Sequence, residues 1–314
     1  MKRIKTPSKK SSFSERLKME MKNYGALYVM ALPVVLFYVL FRYIPMTGIV
    51  MAFQKFNIVK GIFGSKFIGL DNFINFFTSY YCWRLIKNTF LISTLDLLFN
   101  FPAPIIFALL LNEIRLKRFK KIVQTISYLP YFLSVVVMCG LVIDFCRSDG
   151  VVSLLYSAIT GKEGINLLGY AQYFRPIYIL SNIWQGLGYG SIIYIAALAN
   201  VDQQLYEAAV MDGAGRWKQT LHITLPSIAP TIIVLLILRM GSILDVGYEK
   251  VMLLYNPATY QSADVISTFV YRKGFIDSDY GYSTAVGLFN SVINLVLLLI
   301  TNQISRKTNE TSLF

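Results

Sequence analysis

The chain has 314 residues, 55% of them hydrophobic and only 15% charged, with a mean hydropathy of +0.53. That composition excludes an ordinary soluble domain. The formal net charge of +13 would suggest nucleic acid in a soluble protein, but here the basic residues cluster beside apolar runs and so point to a membrane surface.

Residues 1–23 form a polar, basic, Ser/Lys-rich tail, expected to be partly disordered with a surface helix near its end. The apolar run behind it is too long for a signal peptide and lacks a small-residue cleavage site, so it reads as an uncleaved anchor. Six segments, 24–51, 88–111, 122–145, 176–199, 228–246 and 283–303, are apolar enough to cross about 30 Å of hydrocarbon. In lipid every backbone group must be satisfied internally, so these must be helices. The expected fold is an all-α integral membrane protein: a six-helix domain over 24–303, flanked by tails 1–23 and 304–314. Seventeen Lys and Arg fall in 1–23, 112–121, 200–227 and the segment after 303, against eleven in the longer alternating loops. The positive-inside bias then puts both termini and the 200–227 loop in the cytoplasm.

The first span carries Pro33, Arg42 and Pro45, with Arg42 towards its outer end. The aromatic stretch 54–87 reads as an interfacial belt with a short helix on the bilayer. Pro102 and Pro104 must kink or break the second span, which also carries Asp96 and Asn100; Pro130 acts in the same way in the third, which ends near Asp144. The next outer loop contains a short apolar helix candidate at 151–159. In the fourth span Asn182, Gln185 and Tyr189 lie at i, i+3 and i+7, giving one polar and aromatic face. That face suits either a sugar path or helix packing. The fifth span has Arg239, Ser242 and Asp245 at roughly helical spacing. Such groups are costly in hydrocarbon and face a bundle interior or a water-filled path; each charge is either a substrate contact or a structural ion pair. The loop 248–282 is polar and aromatic, and the sixth span carries Gly287, Asn290, Ser291 and Asn294, which suit tight helix packing. The three cysteines, Cys82, Cys139 and Cys146, show no metal or redox spacing.

Between the fourth and fifth spans lies EAAVMDGAGRWKQTLHITLP, residues 207–226. Residues 204–212 favour helix; Gly213 and Gly215 permit a turn; residues 216–223 can form a second short helix, with Pro226 limiting helical continuation into the next span. The product is a compact helix-turn-helix knob on the membrane surface. Its fixed residues, Glu207-Ala208-Ala209, then Gly213, then Ile223 and Leu225-Pro226, spell EAA-x3-G-x9-I-x-LP. The pattern resembles the coupling loop of permease subunits in bacterial ABC importers, over loop 201–227. A Gly-Leu-x-Asn-Phe stretch at Gly69–Phe73 is similar to one before the second span of many sugar-type ABC permeases.

The resemblance implies a type I ABC importer permease fold with a cytoplasmic coupling helix, closest in cast to oligosaccharide and polysaccharide permeases. It also implies a heterodimer with a second related permease, two ATPase subunits that bind ATP and Mg, and an extracellular substrate-binding protein. Glu207, Ala208, Ala209, Asp212, Gly213, Ile223, Leu225 and Pro226 would be the coupling residues; Asn182, Gln185, Tyr189, Ser242 and Asp245 are the candidates for the sugar path. The chain itself carries no nucleotide cradle: its one Gly-Lys, Gly161-Lys162, is followed by Glu163, and Tyr156 stands where the first P-loop glycine would be. His222, the sole histidine, sits in the knob as a packing residue, so neither an enzyme nor a cofactor site is expected. Two other readings stay open: a permease for peptides, amino acids or another small solute, and a stand-alone secondary transporter using Asp96, Asp144 or Asp245 as an ion site.

Overall fold

The computed structural model describes residues 13–161 and 163–309. The disorder expected of the first tail therefore concerns residues outside the described ones; helix begins at Phe13 and continues, through a wide turn at Val39–Tyr43 and a tighter one at Thr47–Phe53, in one rod. Among the described residues, four helices are long and apolar enough to cross a membrane: Asn23–Phe53, Cys82–Glu113, Arg216–Met240 and Tyr280–Lys307. A fifth arises if Lys117–Phe132 and Val135–Thr160, bent by 103°, form one broken span. The helix Ala171–Ala199 is 29 residues long, about 43 Å at 1.5 Å per residue, but its polar face makes it less apolar than the other four.

The elements follow from local chemistry. Pro102 starts a new helical stretch directly behind Cys82–Asn100, where its missing N–H costs least. At the bend of the third segment, Leu133 is extended and the Ser134 hydroxyl accepts from the Val137 N–H, capping the helix Val135–Cys146. The proline foreseen as a kink, Pro130, sits just ahead of this break. The helix at 151–159 is present as Val151–Thr160. Among the described residues the strands are one small antiparallel pair, Gln54–Lys55 with Lys66–Phe67, in the aromatic stretch. The amide of Asn72, on the short helix Asp71–Thr78, donates to the carbonyls of Ala52 and Gln54 and fixes that stretch to the end of the first rod.

Ala171–Ala199 is the central strut. Gly188 lets it press against the carbonyl of Ser127, where any Cβ would stand 2.2 Å from that oxygen. One apolar cluster gathers Ile92, Met138, Phe174, Val251 and Val265; a second holds Phe76, Leu85, Phe269 and Val286; a third, at the other end, holds Ile105, Ala108, Tyr194, Leu198 and Ile228. The segment 248–282, expected to be an outer loop, is instead part of the core: Val251, Ala263, Asp264, Val265 and Thr268 are fully buried. The physical reason is internal satisfaction. Asp264 binds Arg272, Arg84 and the Thr268 hydroxyl, and the Asn88 amide donates to the carbonyls of Gln261 and Asp264. The first rod differs: none of its most apolar window is buried, and it joins the bundle only near Ala52.

Candidate functional site

Two features stand out at different levels of the strut. The first is the knob. Helix Gln203–Met211 is capped by Asp202, whose carboxylate accepts from the Gln204 N–H at 2.9 Å. It ends on Gly213 at φ +75°, with the Gly213 N–H bonded to the Val210 carbonyl at 3.0 Å and the Ala214 N–H bonded to the Ala209 carbonyl at 2.8 Å. That pair of bonds is a Schellman stop, and it needs the left-handed residue. The chain then enters a helix at Arg216 that runs unbroken to Met240. Pro226 therefore does not halt the helix, contrary to the expectation from its ring. The turn before it widens, so that the Leu225 N–H reaches the Thr220 carbonyl five residues back, and the wider turn accommodates a residue with no N–H.

The knob is braced from three sides. Tyr206 and Ile223 pack on the third apolar cluster, the Tyr206 and Thr224 hydroxyls meet at 2.9 Å, and Arg216 pairs with Glu113 at 2.8 Å. His222 Nδ1 donates to the Lys218 carbonyl, one turn back on its own helix. Of the candidate coupling residues, Glu207, Ala208, Asp212, Gly213 and Pro226 are exposed, while Ala209, Ile223 and Leu225 are half-buried. Sequence reasoning missed three apolar side chains on this surface: Met211 and Trp217 are 87% and 82% exposed, joined by Val210. A large exposed apolar group beside polar ones is the mark of a contact surface.

The second feature is a cavity of about 410 Å³, lined in part by Asp96, Asn100, Tyr131, Asn182, Gln185, Arg239 and Asp245. Here residues of the second, fourth and fifth segments come together. Asp96 forms an ion pair with Arg239 and accepts from Asn182 at 2.9 Å and Asn100 at 3.4 Å. Asp245 accepts from Asn290 and Asn294, each at 3.1 Å. The helix ends at Met240, ahead of the expected 246, and the turn that follows is pinned by the Leu244 N–H bonded to Asn294 at 3.0 Å. Sequence reasoning missed Lys250: assigned to a loop, it is buried and its ammonium reaches the Asn182 carbonyl oxygen at 2.6 Å. Ser242 and Tyr189 do not line the cavity. Asp144 does not line the cavity and pairs loosely with Arg147, at 3.9 Å.

Tyr189 bears on the cavity through a neighbour. Its ring stacks on that of Tyr131, centroids 3.8 Å apart and planes 5° apart, and Tyr131 is in the wall. Tyr189→Ala is expected to lower uptake severalfold while the assembled complex is recovered in parental amount. Loss of the complex would mark this face as packing surface alone.

The model of the binding-protein-dependent transport system inner membrane component family matches residues 100–310. This chain belongs to that family. It is 44% identical over 289 residues to Protein LplB of Bacillus subtilis, covering 92% of this chain and 91% of that protein. It is 43% identical to the polygalacturonan/rhamnogalacturonan transport system permease protein YteP of the same organism, covering 96% and 94% respectively. Among solved structures, a chain of a bacterial alginate ABC transporter, in complex with its alginate pentasaccharide-bound periplasmic protein, superposes with a TM-score of 0.87 and 45% identity over 95% of this chain and 100% of that one. The expected permease fold is thus that of the family, and the chain is a membrane component of a transport system.

Proposed function

We propose that this chain is the membrane-spanning permease subunit of an ATP-driven importer that takes up a carbohydrate, an oligosaccharide or polysaccharide fragment, by alternating access. The observation that carries the proposal is the near-complete superposition on the alginate transporter chain, with a rigid, motif-bearing knob at one end of the strut. In this reading a second permease covers the bare first rod, two ATPase subunits holding ATP and Mg seat the knob, and a binding protein delivers sugar at the opposite end. The chain needs no cofactor of its own. Closure of the ATPases would move the knob, and the brace through Arg216, Tyr206 and Ile223 would pass that motion to the helices around the 410 Å³ cavity.

The test is uptake by proteoliposomes containing all subunits. Labelled oligosaccharide should accumulate only with ATP supplied on the knob side and loaded binding protein on the other. ATP-independent accumulation by this chain alone would return it to secondary transport.

The proposed topology has six crossings with both termini and loop 201–227 in the cytoplasm, counting the bent pair and Ala171–Ala199 as one span each. Cysteines placed at Ser8 and Ser312, outside the described residues, should react only with membrane-permeant thiol reagents in a background lacking Cys82, Cys139 and Cys146. Val59, 94% exposed, is the reporter for the other side, since Ser262 in the 248–282 segment is buried. Labelling of Ser312→Cys from outside would mean an odd number of crossings.

A further inference from the structure

We propose that a second, basic cavity further along the same two helices is a carboxylate-reading subsite for an acidic oligosaccharide, passed before the Asp96–Arg239 cavity. The inference rests on the carbohydrate-import reading and narrows its substrate class to sugars bearing uronate-type carboxylates. The cavity has a volume of about 700 Å³, and its wall includes Tyr80, Trp83, Arg84, Lys87, Arg175 and Gln261. Three cations line it and no carboxylate does.

The cations are of two kinds. Arg84 and Arg175 are held in place: Arg84 pairs with Asp264 at 3.2 Å, and Arg175 donates to Asn88 Oδ1 at 2.8 Å and to the Ser262 carbonyl at 3.3 Å. Asp264 cannot neutralise them, because both of its oxygens are also engaged by Arg272 at 2.8 Å. The Nε of Arg84 is buried without a hydrogen-bond partner. Lys87 is exposed and has no ion pair among the described residues. Surplus positive charge thus remains on the cavity side, fixed at the back by guanidiniums and mobile at the front on an ammonium. Fixed guanidiniums are suited to carboxylate recognition.

The aromatic groups set the ligand class. Trp83 and Tyr80 are largely exposed at the rim of a concave, charged site. Apolar ring faces beside cations and amides match a sugar ring carrying a carboxylate better than they match a flat protein surface.

The position sets the route. Arg84, Asn88, Ile92 and Asp96 recur every four residues on one helix, and Arg175, Tyr178, Asn182 and Gln185 recur at three or four on the other. Both cavities therefore lie along the same pair of helices, with the buried Ile92 and Tyr178 at the inner one. Lys87 is nine residues from Asp96, about 14 Å along the axis, so the two cavities are successive levels of one helix pair.

The experiment uses the purified assembled complex without binding protein. Saturation-transfer NMR titrations with tetragalacturonate and with its methyl ester are run on the parent, on Lys87→Gln and on Lys87→Arg. Lys87 carries no hydrogen bond of the fold among the described residues, so these changes act on the cavity. The parent should bind the acid about tenfold more tightly than the ester, Lys87→Gln should lose most of that preference, and Lys87→Arg should keep it, as a charge-assisted contact from Lys87 requires. Equal binding of acid and ester by the parent, no binding of either, or a preference untouched by Lys87→Gln would each overturn the subsite. The importer reading is judged separately by ATP-dependent uptake in the parent, so a neutral-sugar importer would survive a negative result here.

Discussion

Gly213→Val is expected to leave the helices in the membrane and to abolish uptake. Gly213 sits at φ +75°, a region that a β-branched residue enters only under strain of about 1–3 kcal/mol. Nothing lies within 4 Å of an added Cβ, so the effect is purely one of backbone conformation. To relieve it the chain must give up the Gly213–Val210 and Ala214–Ala209 bonds that stop helix Gln203–Met211. Glu207 and the exposed Met211 and Trp217 would then lose their fixed relation to the rest of the knob. Gly213→Asn is the control, since asparagine tolerates the left-handed region, and should retain most uptake. Glu207→Lys probes the same surface by charge. Glu207 has no ion pair among the described residues, so its reversal leaves this chain intact and acts on a partner. Quantitative co-purification of the ATPase subunits with uptake of labelled sugar is the measurement. Both variants should reach the membrane in parental amount with weakened ATPase retention. Full retention and full uptake in both would sink the coupling role of the knob.

The parts legible in the sequence are those where one local pattern settles the outcome. The knob was readable because Gly213 must be left-handed and Asp202 and Ala209 need only near neighbours. The polar face Asn182–Gln185 was readable because helical spacing alone puts both in one wall. What failed depended on distant partners. The 248–282 segment looked like a solvated loop because Asp264, Arg272 and Lys250 are charged. The distant groups that satisfy Asp264 and Lys250, the Arg84 guanidinium and the Asn182 amide oxygen, lie 180 and 68 residues away in sequence. The apolar runs Val251–Leu254 and Val265–Val270 were the available signal that this segment packs inward. Pro226 failed for a different reason: a proline forbids one hydrogen bond, and a wider turn can leave that carbonyl free without ending the helix.

The largest effect on assembly is expected at the Asp96–Arg239 pair. Asp96 is almost wholly buried between helices Cys82–Asn100, Ala171–Ala199 and Leu225–Met240, with its carboxylate shared among Arg239, Asn182 and Asn100. Arg239→Met would remove the one countercharge bonded to it among the described residues and leave two amide donors. Breaking a buried pair from one side costs about 3–5 kcal/mol, but the Arg239 side chain is 43% open to the cavity, so water and relaxation bring this down to about 1–3 kcal/mol. The nearby cation does not replace it directly: the Lys250 ammonium is bonded to the Asn182 amide oxygen rather than to Asp96. The single variant should therefore lower both the unfolding temperature of the purified complex and its yield, and cut uptake at least tenfold. Asp96→Asn combined with Arg239→Met removes both charges and should restore much of the assembly, because the Asp96 carboxylate is no longer left without its counterion. Uptake then separates two roles for the pair. Recovery of assembly without uptake would place the charges on the sugar route, consistent with their position in the wall of the 410 Å³ cavity. Recovery of both would make the pair a structural tie alone. An Arg239→Met complex with parental stability and uptake would deny the pair either role.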